Sequence, residues 1–157
     1  MEYYNTISRG YEELYGEEQR RKISVIRDNI LFNENDKVLD VGCGPGFADF
    51  GCDMYRIDPS EELLKMAKGK KVKGVAEALP FEDDCFDKVI SITAMQNFSD
   101  IRKAVLEMKR VCKGEFALSF LKKSQKRRDI EEIIFEEFDV KKLIDEEKDI
   151  IIIANYK

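Results

Sequence analysis

Histidine and tryptophan are absent from the 157 residues, proline occurs three times and cysteine four times. Without histidine there is no imidazole to complete a zinc site, and the cysteines at 43, 52, 85 and 112 form no Cys-x-x-Cys pair, so a structural zinc centre is excluded. Any proton transfer then falls to Asp, Glu or Tyr, or to no base at all. The cysteines read as small reduced packing residues. The alternative is a Cys43–Cys52 disulfide, which the Lys- and Glu-rich composition would suit if the cell were a hyperthermophile's. Apolar runs are short: Ile150–Ala154 falls far below the roughly 20 residues of a membrane helix. Met1–Asn5 has neither the basic flank nor the apolar core of a secretion signal, so a cytoplasmic location is expected. Positive charge is also in deficit. Asp and Glu number 32 against 27 Lys and Arg, a net charge of −5, which excludes the broad basic field of a strong nucleic-acid binder but leaves a local patch open.

What is present is 43% hydrophobic and 38% charged residues, a balance that supports one packed core under an ionised surface. No Pro/Gly/Ser-rich linker and no repeat divides the chain. Residues 1–157 are therefore expected to be a single domain: an N-terminal segment and helix over 1–32, a core over 37–121, and a C-terminal helix and hairpin over 122–157. Ile23, Ile26 and Ile30 recur at helical spacing before the turn at Asn33–Asp36. Strands are predicted at Lys37–Val41, up to Asp58, at Lys71–Val75, at Phe86–Thr93 and at Glu115–Leu121. Ser60 is predicted to cap a helix that runs on past Lys65 and Lys68 to Gly69, and Ser99 to cap another, whose face is Ile101, Ala104, Val105, Met108 and Val111 and whose end is Lys113-Gly114. Ser124–Phe135 reads as a helix, and Glu137–Ile144 with Ile150–Tyr156 as a closing hairpin. Such alternation predicts an α/β fold with a mostly parallel sheet and an antiparallel C-terminal pair.

The chemistry concentrates at Gly42-Cys43-Gly44-Pro45-Gly46, directly after the first strand, with Asp58 closing the next one. Glycines there let backbone approach a ligand closely, and an acid at the second strand end accepts hydrogen bonds from ribose hydroxyls. The stretch Val38–Gly46 resembles the first signature of class I S-adenosylmethionine-dependent methyltransferases. Ile57-Asp58-Pro59-Ser60 with Leu63, Leu64 and Ala67 resembles the second, and Ala76–Phe81 followed by Cys85–Ile90 the third and fourth. Arg110–Gly114 is similar to a trimmed form of the segment before the fifth strand.

The resemblance implies a Rossmann-like seven-stranded methyltransferase domain, with strand order 3-2-1-4-5-7-6 and S-adenosylmethionine as cofactor. It places Asp40, Gly42, Cys43, Gly44 and Gly46 around the amino-acid end of that cofactor. Asp58 with Pro59 would stand at the ribose, Ala76 and Glu77 at the adenine, and Ser91, Thr93 and Ala94 under the methyl donor. Three positions depart from the family. Val75 stands where an acid is common, Gln96-Asn97 where paired histidines are frequent, and Lys113-Gly114 where Pro-Gly is usual. Gln96 and Asn97 are the acceptor-side candidates. Tyr4 and Tyr11 in the aromatic lead segment are the candidates for a lid, with packing on the domain surface as the alternative. A nicotinamide dinucleotide is disfavoured, because its fingerprint needs a small residue where Phe47 stands.

Methyl transfer needs alignment and exclusion of water more than a base. A carboxylate, thiolate or enolate-like acceptor suits a site without histidine, and a small molecule is the expected acceptor. The short Phe47–Asp53 connection is similar to that of enzymes that methyl-esterify a carboxymethyl group on tRNA wobble uridine with a small zinc-binding activator protein. That resemblance implies RNA contact through Lys122, Lys123, Lys126, Arg127 and Arg128 and a partner adding an edge strand; a solvated charged face is the other reading of those cations. A cofactor-binding subunit without catalysis of its own is the third expectation.

Overall fold

The computed structural model describes residues 9–157, with side chains from Tyr15 onward. Helix α1 (Arg9–Asn29) is followed by strand β1 (Lys37–Val41), β2 (Asp53–Asp58), a single helical turn α2 (Glu61–Leu64) and β3 (Lys70–Lys73). Then come β4 (Phe86–Ser91), a 3-10 turn (Met95–Asn97), α3 (Ile101–Val111), β5 (Cys112–Leu121), α4 (Arg127–Glu137) and the hairpin β6 (Phe138–Asp145) and β7 (Asp149–Tyr156). One seven-stranded sheet runs β3-β2-β1-β4-β5-β7-β6. Its first five strands pair in parallel, and β7 inserts antiparallel between β5 and β6. This is the order the family resemblance implied. Among the described residues no helix is long and apolar enough to cross a membrane.

The central strands β1, β4, β5 and β7 are buried on both faces, and their period of two divides the core. Leu39, Val41, Val89, Phe116, Leu118 and Ile152 pack on the side of α3 and α4. Val38, Ile90, Ala117, Ile151 and Ile153 pack on the side of α1, against Ile23, Ile26 and Ile30. On α3 the buried face is Ala104, Val105, Met108 and Val111, all fully sequestered. Burying each of the larger members is worth about 1.5–3 kcal/mol. Truncating Met108 to alanine would therefore open the centre of this layer.

Several boundaries differ from the sequence reading for identifiable reasons. The α3 cap is Asp100, whose Oδ1 accepts from the Lys103 N–H at 3.0 Å, and not Ser99. Ser60 does cap α2, accepting from the Leu63 N–H, but the helix stops at Leu64. Beyond it the chain tightens into short i to i+3 bonds, while Lys71 Nζ takes the carbonyls of Leu64 and Ala67 and Arg56 Nε that of Lys68. These cations replace the continued helix that Lys65 and Lys68 suggested. Lys113-Gly114 is not a helix stop. β5 starts at Cys112, directly after α3, and Gly114 lies at a register shift against β4 where a Cβ would meet the Asp87 carbonyl oxygen at 2.0 Å. Helix α4 begins at Arg127; Ser124 instead accepts from the Lys126 N–H in the preceding turn. All four cysteines are free, so the Cys43–Cys52 pairing is not formed.

Candidate active site

The parallel strands β1, β2 and β4 end on the same side, and the loops leaving them enclose a cavity of 460 Å³. Its position, at the carboxyl ends of the strands where the order reverses direction, is where open α/β sheets bind ligands. The glycine turn forms one wall. It is pinned to β2 by the N–H groups of Gly42 and Cys43, which both donate to the Ile57 carbonyl at 2.9 and 3.1 Å. Gly42 has φ +71° and Ala94 lies so close that a Cβ would stand 2.7 Å from it. Gly44 has φ +54°, and a Cβ there would meet nothing nearer than Leu63 at 4.0 Å. Only glycine adopts this backbone freely. Gly42 thus closes the turn onto Ala94 in the segment after β4, whereas Gly44 leaves backbone facing open cavity.

Asp58 fixes the turn from the other side. Its Oδ2 accepts from the Gly44 N–H at 2.9 Å and its Oδ1 from the Ser60 N–H at 2.8 Å. Each carboxylate oxygen has a second lone pair, so these bonds orient the group and leave acceptor capacity toward the cavity that it lines. Asp40 also lines the cavity but carries a partner: Arg56 Nη1 donates to its Oδ2 at 2.9 Å, with both residues buried. Burial raises the Asp40 carboxyl to about 7, against the lowering influence of Arg56. The Cys43 thiol is pushed up by burial and by the nearby Asp40 and Asp58, so it stays protonated and is no nucleophile.

Of the residues named from sequence, Asp40, Gly42, Cys43, Gly44, Asp58, Pro59, Ala76, Glu77, Thr93, Ala94 and Asn97 line this one cavity. Gly46, Ser91 and Gln96 do not. Gly46 turns toward Ala67, Ser91 is wholly buried with its hydroxyl unpartnered among the described residues, and Gln96 donates from Nε2 to the Thr93 carbonyl at 2.8 Å. Glu77 accepts on Oε2 from the Asp100 N–H, which ties the wall to the start of α3. Val75 lines the cavity beside Gly74 and Ala76, an apolar and backbone surface where the family often has an acid. Tyr4 lies outside the described residues, and Tyr11 lies in α1 with its side chain outside them.

Sequence reading missed the contribution of α1. Tyr15 and Gln19 both line the cavity, with Tyr15 edge-on to Phe47 at 5.4 Å. Gln19 is 6% exposed, and its amide makes no hydrogen bond within the described residues. Lining the cavity, the amide is open to a hydrogen bond from a ligand or water there. The turn with bare backbone at Gly44, the oriented Asp58 and this amide together fit an adenosine-containing ligand with a polar tail. Among the described residues no Lys or Arg lines the cavity, and its three charged groups are Asp40, Asp58 and Glu77.

The basic segment after β5 is partly neutralised. Lys122 pairs with Asp145 and Arg127 with Glu131, while Lys126 Nζ reaches the carbonyl of Phe98, a cavity-wall residue, at 3.4 Å.

Comparison with known proteins agrees with this architecture. A family model described as a methyltransferase domain matches residues 39–120, more than half of the chain. The demethylmenaquinone methyltransferase of Renibacterium salmoninarum is 35% identical over 104 residues, which cover 60% of this chain and 44% of that protein. The crystal structure of the PH0226 protein from Pyrococcus horikoshii superimposes with a TM-score of 0.79 at 19% identity, covering 100% of this chain and 99% of that one. The Haloferax volcanii protein solved in complex with the Trm112 methyltransferase activator gives 0.76 at 16% identity, over 94% and 92%. The chain spans about half the length of the curated relatives it matches. Sheet order, glycine turn and the match over residues 39–120 together make the chain a member of the class I S-adenosylmethionine-dependent methyltransferase family.

Proposed function

We propose that the protein transfers a methyl group from S-adenosylmethionine to a small-molecule acceptor. The observation that carries this reading is the single cavity shared by the glycine turn, Asp58 and the Val75–Glu77 wall. Its 460 Å³ lies within the range of roughly 300–1,000 Å³ typical of small-molecule sites.

S-adenosylmethionine supplies, when bound, an activated methyl group on a sulfonium. The chain's own residues hold and orient. Asp58 accepts from the ribose, backbone at Gly44 admits the amino-acid portion, and Gly74, Val75 and Ala76 face the adenine. Asp40, when ionised, favours a cationic ligand over a neutral one. Tyr15, Phe47 and Phe98 narrow the access of water, which strengthens electrostatics inside. The carboxylates in the wall already have partners, so catalysis rests on alignment rather than on a dedicated base. With only acidic charge in the described wall, a neutral or cationic acceptor is favoured over the carboxylate or thiolate that composition suggested.

Titration calorimetry with S-adenosylmethionine, its demethylated product and NADH tests the cofactor. Binding of the first two and not the third is expected, and tight NADH binding without response to the methyl donor overturns the reading. Labelled cofactor incubated with separated metabolite and RNA fractions, read by mass spectrometry, identifies the acceptor class.

A second reading is an RNA methyltransferase working with an activator, and its activator half draws support from the likeness to the Haloferax protein and from β3. That strand is a sheet edge whose four residues are all exposed, the apolar Val72 among them. Against it stands the pairing of Lys122 and Arg127. If RNA is the acceptor, neutralising Lys123, Lys126 and Arg128 flattens the slope of log affinity against log salt by roughly 0.7–0.9 for each phosphate no longer neutralised. An unchanged slope removes this reading.

A further inference from the structure

Beyond the glycine turn, the cavity wall contains a residue in an unfavourable conformation. Thr93 has φ +54°, the left-handed region that a β-branched residue enters only when its surroundings over-determine it. Each polar group of Thr93 is held. Its N–H donates to Ser119 Oγ at 2.7 Å, and its carbonyl accepts from Gln96 Nε2 at 2.8 Å. Its hydroxyl donates to Asp149 Oδ2 at 2.7 Å and accepts from Lys22 Nζ at 2.9 Å. Ser119 Oγ donates to the same Asp149 oxygen at 2.9 Å. The partners come from α1, the 3-10 turn, β5 and the first residue of β7.

Lys22 and Asp149 are 2% and 0% exposed, and Lys22 Nζ lies 3.2 Å from Asp149 Oδ1. A buried ion pair gives little net stability, because desolvation offsets the attraction and apolar residues often serve as well. Neither residue lines the cavity, but Thr93 does, between Ile92 and Ala94. Ala94 is the side chain against which Gly42 closes. The backbone conformation at residue 93 therefore sets where this wall stands relative to the glycine turn.

We propose that the Lys22–Asp149 pair is a positioning device, holding Thr93 in its left-handed conformation and so fixing the Ile92–Ala94 wall against the glycine turn. This rests on reading the cavity as the S-adenosylmethionine site. Without the pair the Thr93 hydroxyl loses both partners, residue 93 returns to an ordinary negative φ, and Ala94 shifts.

The test uses Lys22→Met, Asp149→Asn and the double variant Lys22→Met/Asp149→Leu, which leaves no unpaired charge buried. Each is titrated calorimetrically with S-adenosylmethionine well below its thermal midpoint. Affinity is expected to fall about tenfold, equivalent to ~1.4 kcal/mol. Adding Thr93→Gly to the pair-less variants is expected to bring their affinity to within about threefold of that of Thr93→Gly alone, which carries any loss of Thr93's own contacts with the ligand, because glycine adopts positive φ without steric cost. Rescue of binding by a change that only frees the backbone at residue 93 is not something a merely structural pair produces. A folded pair-less variant with wild-type affinity overturns the proposal, as does a fall in affinity that Thr93→Gly fails to rescue. A set in which none folds overturns it too, since the pair is then a folding element. Wild-type protein that fails to bind S-adenosylmethionine instead refutes the proposed function, which keeps the two failures apart.

Discussion

Replacing Asp58 with alanine removes a carboxylate that both braces the glycine turn and faces the cavity. In the free protein it accepts from the N–H groups of Gly44 and Ser60 at 2.9 and 2.8 Å. The Gly44 donor lines the cavity and Ser60 is half-buried, so water can replace the missing acceptor at both, and each bond contributes no more than a neutral one does, about 1 kcal/mol. Together they lower stability by ~2 kcal/mol. With ligand bound the effect is larger, because the cavity is then closed to water. Forfeiting hydrogen bonds from the ribose to a charged acceptor costs about 1.5–3 kcal/mol, or roughly 10- to 150-fold in affinity. Thermal unfolding followed by circular dichroism reads the first effect, and calorimetric titration with S-adenosylmethionine, well below the variant's midpoint, reads the second. Asp58→Asn separates them: it keeps one acceptor but turns an amide N–H toward the other donor, so an intermediate affinity is expected. A folded Asp58→Ala protein with wild-type affinity would refute the assignment of Asp58 to the ribose.

Gly44→Val places a β-branched side chain at φ +54° in open cavity space. The backbone strain is about 1–2 kcal/mol, so the variant is expected to fold by circular dichroism and to lose measurable cofactor binding; normal binding by the folded variant would put the ligand on another loop. Asp40 gives a pH dependence. Its carboxyl is raised by burial from 3.8 to about 7 in the folded chain, so the folded state holds a proton that the unfolded state has released. Its contribution to stability is complete below the unfolded value and is lost as pH rises through about 7. Ionisation across the same upper range favours a cationic ligand, so affinity for S-adenosylmethionine is expected to increase from pH 6 to pH 8, and Asp40→Asn to abolish both trends in paired denaturation and calorimetric series.

Much of the fold was legible because its signals are local. Ile23, Ile26 and Ile30 announce α1, the apolar face of α3 follows helical spacing, and the β7 run Ile150–Ala154 is continuous because it is buried on both faces. Errors fell where a local signal met a tertiary competitor. Ser99 and Asp100 are both competent caps, and sequence alone does not choose; in the structure Glu77 takes the Asp100 N–H while the Asp100 side chain turns back on Lys103. Lys65 and Lys68 look like a helix end, but the carbonyls there go to Lys71 and Arg56, whose approach depends on β2 and β3 pairing. Gly114 looks like a stop signal, yet its hydrogen stands where the Asp87 carbonyl of the neighbouring strand presses in. Glu77 and Asp87 are distant in sequence from the positions they decide, and Lys71, though close, reaches its carbonyls only once β2 and β3 have paired.

The candidate site divides along the same line. The glycine turn, Asp58 and the Ala76–Glu77 wall occupy fixed places relative to strand ends, so once the strands are found their residues follow. Gln19, Lys22 and Asp149 carry no such mark, lying in charged stretches that read as solvated surface. A signal existed for two of them. Gln19 falls on the stripe formed with Ile23, Ile26 and Ile30, and Lys22 lies one helical turn before Ile26, so both are polar residues on the face that the isoleucines turn toward the sheet. A polar residue on a core-facing stripe needs a partner. For Lys22 that partner is Asp149, 127 positions away, at the start of a strand whose place between β5 and β6 brings it beneath α1. For Gln19 the described residues supply none. The helix thus delivers one satisfied polar group behind the wall and one amide to the cavity lining, so α1 builds this cavity along with the glycine turn.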